Sequence, residues 1–218
     1  MNTKNYLKDI SDIKTMMSRS SRFMSLSGLS GVLAGVYALI GATIAYFQIK
    51  DFKFLIYNET DWISDNPYSS LFFNLVTIAL IVLAAAIATG FFLTLRKAKK
   101  QNEKIWNPVS KRLLANFALP LVSGGLFCIV LIQYDIAGLV APATLIFYGL
   151  SLVNASKFTI GDIKYLGIAN IIIGLIATQF VGYGLYFWAL GFGIFHIIYG
   201  TILYNKYDRP SQSEENIN

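Results

Sequence analysis

Few side chains inside the apolar runs of this chain could do chemistry, and they are of four kinds. His196 is the one histidine and Cys128 the one cysteine. Ser123, Asn116 and Asn170 are the polar residues whose positions suggest a site facing other helices. A serine and a histidine at one depth could act as nucleophile and base, provided oxyanion donors stand nearby. Ser123 lies ten residues past Leu113 and His196 eight before Tyr204, the respective ends of their runs. At about 1.5 Å per helical residue, they reach similar depths. Asn116, Pro120 and Ser123 share one helical face; Gly167, Asn170, Gly174 and Ala177 share another; His196 shares a third with Ala189, Gly193 and Gly200. Buried polar groups are costly unless paired. Asn116, Ser123, Asn170 and His196 are therefore ligand-binding candidates, with hydrogen-bonded glue between helices as the competing reading.

The elements that must carry these residues are membrane helices. Hydrophobic residues make up 55% of the 218 positions and charged residues 14%, and the charges fall between long uncharged runs. Six runs lack Asp, Glu, Lys and Arg: 27–48, 69–95, 113–132, 136–154, 165–181 and 185–204. Crossing the hydrocarbon core takes roughly 20 apolar residues, and lipid leaves backbone groups no partner but their own helix. The expected fold class is all-α, an integral membrane bundle of six transmembrane helices over residues 27–205. The fifth run is the shortest. The first is too long and too far in for a cleaved signal peptide.

Charge sets the expected orientation. Sixteen of the eighteen Lys and Arg residues lie in the N-terminal tail, the loops after the second and fourth runs, and the C-terminal tail; only Lys50 and Lys53 lie on the other side. The positive-inside rule makes the basic side, with both termini, cytoplasmic. That face is expected to attract anionic lipid headgroups. Within the arm 1–26, residues 3–24 place Tyr6, Ile10, Ile13 and Met17 at helical spacing, the pattern of an interfacial amphipathic helix that anchors to the bilayer or docks a protein partner. Residues 49–68 read as the one sizeable outside loop, an aromatic cap with Trp62 and Tyr68 or a lid, and Asn58-Glu59-Thr60 fits a glycosylation sequon. The tail 206–218 reads as disordered.

Packing signals are dense. Ser27, Gly31, Gly35, Ala38, Ala42 and Ala45 repeat on one face of the first run, a small-residue stripe that suits close helix packing or a homo-oligomer interface. Tight turns at Gln133-Tyr134-Asp135 and Gly182-Tyr183-Gly184 imply antiparallel hairpins. Tyr148-Gly149 to Asn154 and Tyr199-Gly200 to Asn205 both read Y-G-x-x-L-x-N, from a duplicated hairpin or from chance likeness between apolar helices. Asn116, Asn154, Asn170 and Asn205, near the basic ends of their runs, either cap helices or line a vestibule.

Absences exclude several classes. A proton-coupled pump needs intramembrane ionisable groups, which the runs lack. One histidine cannot ligate haem twice, no His, Cys, Asp or Glu cluster has metal-ligand spacing, and no phosphate-binding glycine motif occurs. No cofactor and no nucleic-acid partner is expected.

Two resemblances add to this. Leu121-Val122-Ser123-Gly124 with His196 and Gly200 resembles rhomboid intramembrane proteases. That implies a serine hydrolase, but the glycine two before the serine and a His or Asn cluster in the second run are missing. The segment from Arg19 to Ala42, including Ser27-Gly28-Leu29-Ser30-Gly31, resembles the start of multi-span membrane proteins of Bacteroidetes-type bacteria. It implies a bacterial inner-membrane location and carries no catalytic residues. The expected function is non-enzymatic: a sensor-like small-molecule or lipid binder, or a partner subunit. A facilitator of neutral or lipophilic solutes is the main alternative, its rocking helices permitted by Pro120, Pro142 and the glycines.

Overall fold

The computed structural model describes residues 23, 26–58, 67–100 and 105–209. The amphipathic arm, Trp62, the sequon beyond Asn58 and the tail from 210 lie outside the described residues, as do the surroundings of Tyr68. Among the described residues every regular element is helical. The six helices are α1 (Gly28–Asn58), α2 (Pro67–Lys100), α3 (Pro108–Gln133), α4 (Val140–Ala155), α5 (Ile163–Ala177) and α6 (Gly184–Asp208). A 3-10 turn, Ala137–Leu139, leads into α4. Among the described residues five helices are long and apolar enough to cross a membrane, α4 together with its leading 3-10 turn; α5, with 15 residues, is shorter.

Several boundaries move. α1 continues ten residues past Gln48, carrying Lys50, Asp51 and Lys53 on helix rather than in an outer loop. α6 continues through Lys206-Tyr207-Asp208, which the sequence assigned to a disordered tail. In both places backbone hydrogen bonding carries on past the first charges, since a charge at a helix end can reach polar surroundings without breaking the helix.

The helices do not pair simply in chain order. α4 packs against α3 and, most closely, α5; α1 packs against α2 and α6; α5 and α6, though consecutive, touch little. The turns leading into α4 and α6 need left-handed backbone at Asp135 (φ 57°) and Gly182 (φ 99°).

Two glycine seams allow the closest approaches. At the α1–α6 seam, a Cβ on Gly200 would collide with backbone of Gly28, Gly31 and Val32, and one on Gly35 would meet the Gly193 carbonyl. At the α4–α5 seam, Gly149 and Gly167 each face the other's carbonyl oxygen. Without side chains between them, the backbones gain dispersion contacts that lipid cannot match.

α3 starts on a capping box. The Asn107 side chain accepts from the Ser110 N–H (2.8 Å), and Ser110 Oγ accepts from the Asn107 N–H (3.0 Å), with Pro108 opening the helix. Inside α3, Pro120 has no N–H to give the carbonyl four residues back. That carbonyl belongs to Asn116, and Asn154 Nδ2 of α4 donates to it at 3.1 Å. A helix defect thus becomes an inter-helix bond.

Candidate functional site

The polar centre forms where α4, α5 and α6 meet. α6 is α-helical from Gly184 to Trp188 and from Phe195 to Leu203, with a π-helical stretch, Ala189–Ile194, between. π winding spaces its bonds five residues apart. It sets residue 196 over the carbonyl of residue 191, and His196 Nδ1 lies 2.8 Å from the Gly191 oxygen. A carbonyl only accepts, so Nδ1 holds the proton. The neutral Nε2 then accepts from the Tyr148 hydroxyl of α4 at 2.7 Å. Tyr148, Phe192 and Trp188 pack as successive rings beside the imidazole, with Tyr148–Phe192 centroids 5.0 Å apart and Trp188–Phe192 5.1 Å apart.

Asn170 joins this centre from α5. It is 0% exposed, and its Nδ2 donates to the Leu166 carbonyl at 2.9 Å. Among the described residues its Oδ1 has no hydrogen-bond partner, and it lies so near Gly191 that a methyl there would come within 2.6 Å. Gly191 therefore serves both candidates: its carbonyl holds His196, and its bare Cα makes room for Asn170.

The other two candidates stand elsewhere. Ser123 is exposed on α3, its hydroxyl bonded to the Leu119 carbonyl at 2.9 Å, not turned into the bundle as the shared-face reading expected. Asn116 donates to the Arg112 carbonyl at 2.8 Å. α3 rests on α4 through a side about a quarter turn away, where Gly124 meets Phe147 and buried Cys128 meets Val140. The structure brings Asn170 and His196 together and leaves Ser123 and Asn116 apart from them. Both ring nitrogens of His196 are engaged by partners other than Ser123. Among the described residues, no three His, Cys, Asp or Glu side chains could hold a metal ion.

Sequence reasoning missed a second polar cluster at the basic end. Lys97 of α2 bonds Asp208 of α6 at 2.6 Å and the Leu26 carbonyl at 2.8 Å, with side chains only 14% and 9% exposed. The other Asp208 oxygen accepts from the Gly28 N–H (2.7 Å) and Ser27 Oγ (3.2 Å). Asp208 thereby caps α1, where a carboxylate matches the positive end of the helix dipole. Nearby, Phe23 bonds the α4–α5 turn through Phe158 and Thr159. In that turn Asp162 accepts from Lys206 (2.6 Å) and Tyr207 (3.1 Å); the Lys206 hydrogen bond above all lowers its pKa. Lys97 was legible only as one of four basic residues within the five positions 96–100, and no spacing rule points it at a residue 111 positions away.

Two hollows lie along α2. An apolar groove between α1 and α2 is lined by Tyr37, Ile40, Gly41, Ile78, Val82 and Ala85 among others. Nearer the basic end, Phe92, Leu95 and Ile105 form a hollow whose remaining lining is Arg96 and Lys99.

No family model, curated protein or solved structure matches the chain.

Proposed function

We propose that this chain is a non-enzymatic, six-span protein of a bacterial inner membrane, both ends cytoplasmic, that binds lipid as a sensor-like component. Six spans are supported by α5 lying against α4 and by the turns 160–162 and 178–180, which extend its 15 residues at both ends. At about 1.5 Å per residue α5 itself covers ~22 Å, short of a ~30 Å core, and the bilayer thins or the turns enter it. Orientation rests on the basic residues, and the clustering of Lys97, Asp208, Asp162 and Lys206 at one end of the bundle agrees with it.

The observation that carries the lipid-binding reading is where the molecule is open. Its polar centre closes on itself through His196, Tyr148 and Gly191, whereas its hollows lie on the outer surface of α1 and α2. A lipid reaches these hollows sideways from the bilayer. Native mass spectrometry of the protein released from mild detergent tests this. The expected spectrum shows retained phospholipid. A bare protein, or turnover or transport of a solute by the purified chain, refutes the reading.

A further inference from the structure

We propose that Arg96 and Lys99 of α2 form a headgroup site for one anionic phospholipid, with an acyl chain lying along the face of α2 that leads to the α1–α2 groove. The inference rests on the lipid-binding reading and adds the site and the lipid class.

Three observations converge. First, the hollow near the basic end combines two cations with Phe92, Leu95 and Ile105, a charged rim over an apolar floor. Arg96 and Lys99 have no ion-pair partner among the described residues, whereas Lys97 between them turns inward to Asp208. One turn of α2 thus divides its charge, one cation for the bundle and two for the surface. Second, the two hollows share a helix face. Ile81, Ala85, Ala88, Phe92, Leu95 and Lys99 follow one another at steps of three or four residues, the spacing of a single stripe. From Arg96 to Ala85 is eleven residues, or ~16 Å at helical rise, close to the ~15 Å of one leaflet. A chain whose headgroup sits at Arg96 ends where the α1–α2 groove begins. Third, the depth is marked. Trp106, largely exposed beside the hollow, lies under the Lys111 ammonium at 5.8 Å, as a ring does at headgroup level.

Phosphate suits this rim. Arg offers a planar fork of donors and Lys a mobile ammonium, and both stay charged at neutral pH. A zwitterionic lipid brings its own cation to the same rim and loses the advantage.

The test uses the full chain in mild detergent, titrated with dioleoyl phosphatidylglycerol or dioleoyl phosphatidylcholine and read by native mass spectrometry. The wild type is expected to retain one phosphatidylglycerol in preference to phosphatidylcholine. At about fivefold per cation near a membrane surface, Arg96→Gln with Lys99→Gln lowers phosphatidylglycerol retention roughly 30-fold, to the phosphatidylcholine level. Ala88→Trp, at an exposed position on the acyl path, weakens retention with the rim intact. Lys50→Gln with Lys53→Gln, at the far end of α1, leaves the preference unchanged. Matching thermal midpoints establish that the variants fold. If the double variant keeps the preference, the site is elsewhere and the proposal falls while lipid binding stands. If the wild type holds both lipids equally, the anionic assignment falls. If it holds neither, the lipid-binding reading falls with it.

Discussion

Helices α2 and α6 are both long and apolar, yet the bundle treats them oppositely. The most apolar 18-residue window of α2 has no buried residue, while α6 buries Gly191, Gly193, His196, Gly200 and Leu203. Composition explains the split. α6 supplies glycines that admit another backbone and one histidine that must find partners. α2 supplies Phe73, Leu80, Ile81, Ile87, Phe91 and Phe92, bulky groups that lipid solvates as well as protein does. The lesson is that hydropathy separates membrane from water but not bundle from lipid; small and polar residues make that second distinction.

The sharpest way to break the comparison is to put equal bulk on each helix. Gly200→Leu drives a side chain into α1 backbone and is expected to cost ~3 kcal/mol or more. Gly90→Leu on α2, where a Cβ meets nothing within 4 Å, is expected to be neutral. Unfolding by SDS titration in mixed micelles reads both. Equal effects would mean that the α1–α6 seam is not the tight contact described.

Charge gives the next contrast, within α2 itself. Lys97→Met strands Asp208 and is expected to cost roughly 2 kcal/mol, below the range for fully buried pairs because both side chains retain some exposure. Arg96→Met is expected to change stability by less than ~0.5 kcal/mol. The same titration, at low and high salt, separates them.

The repeated Tyr-Gly motif allows a finer comparison. Tyr148→Phe removes the one donor to His196 Nε2 among the described residues and should cost about 1–2 kcal/mol. Tyr199→Phe removes a buried hydroxyl that has no hydrogen-bond partner among the described residues and should be neutral or stabilising. Thermal midpoints in detergent decide between them. The two tyrosines match in sequence but not in environment.

The smallest effect lies at the solvent-facing end of α6. Asp162 has a folded pKa below its unfolded value, chiefly through its bond to Lys206. Its contribution is therefore full above the unfolded value, about pH 4, and disappears as pH falls through the lowered folded value. Asp162→Asn is expected to lower the thermal midpoint slightly at neutral pH and not at all in strong acid. A variant effect that grew on acidification would refute the assignment.

Much of the fold was legible because its causes are local. Long uncharged runs in a medium without water must be helices, and the stripe from Ser27 to Ala42 showed that α1 would meet another backbone. The site was legible in part. His196 and Asn170 stood out as polar residues on glycine-bearing faces. Ser123 was misplaced, because a shared face with Asn116 and Pro120 does not say which side of α3 meets α4. Neither the π winding at Gly191 nor the role of Tyr148 could be read, since nothing in an apolar run marks one extra residue in a turn.

The sequence by itself determined a helical protein with runs long and apolar enough to cross a membrane, the rough positions of its helices, and which side chains would need partners. Those follow from the solvent each residue tolerates. Only the tertiary structure decided who the partners are: α1 with α6 rather than the consecutive α5 with α6, Lys97 with Asp208, and Asn154 with the carbonyl that Pro120 leaves free. These choices depend on the fit of distant surfaces and on backbone groups left over by local defects, quantities that no single segment contains.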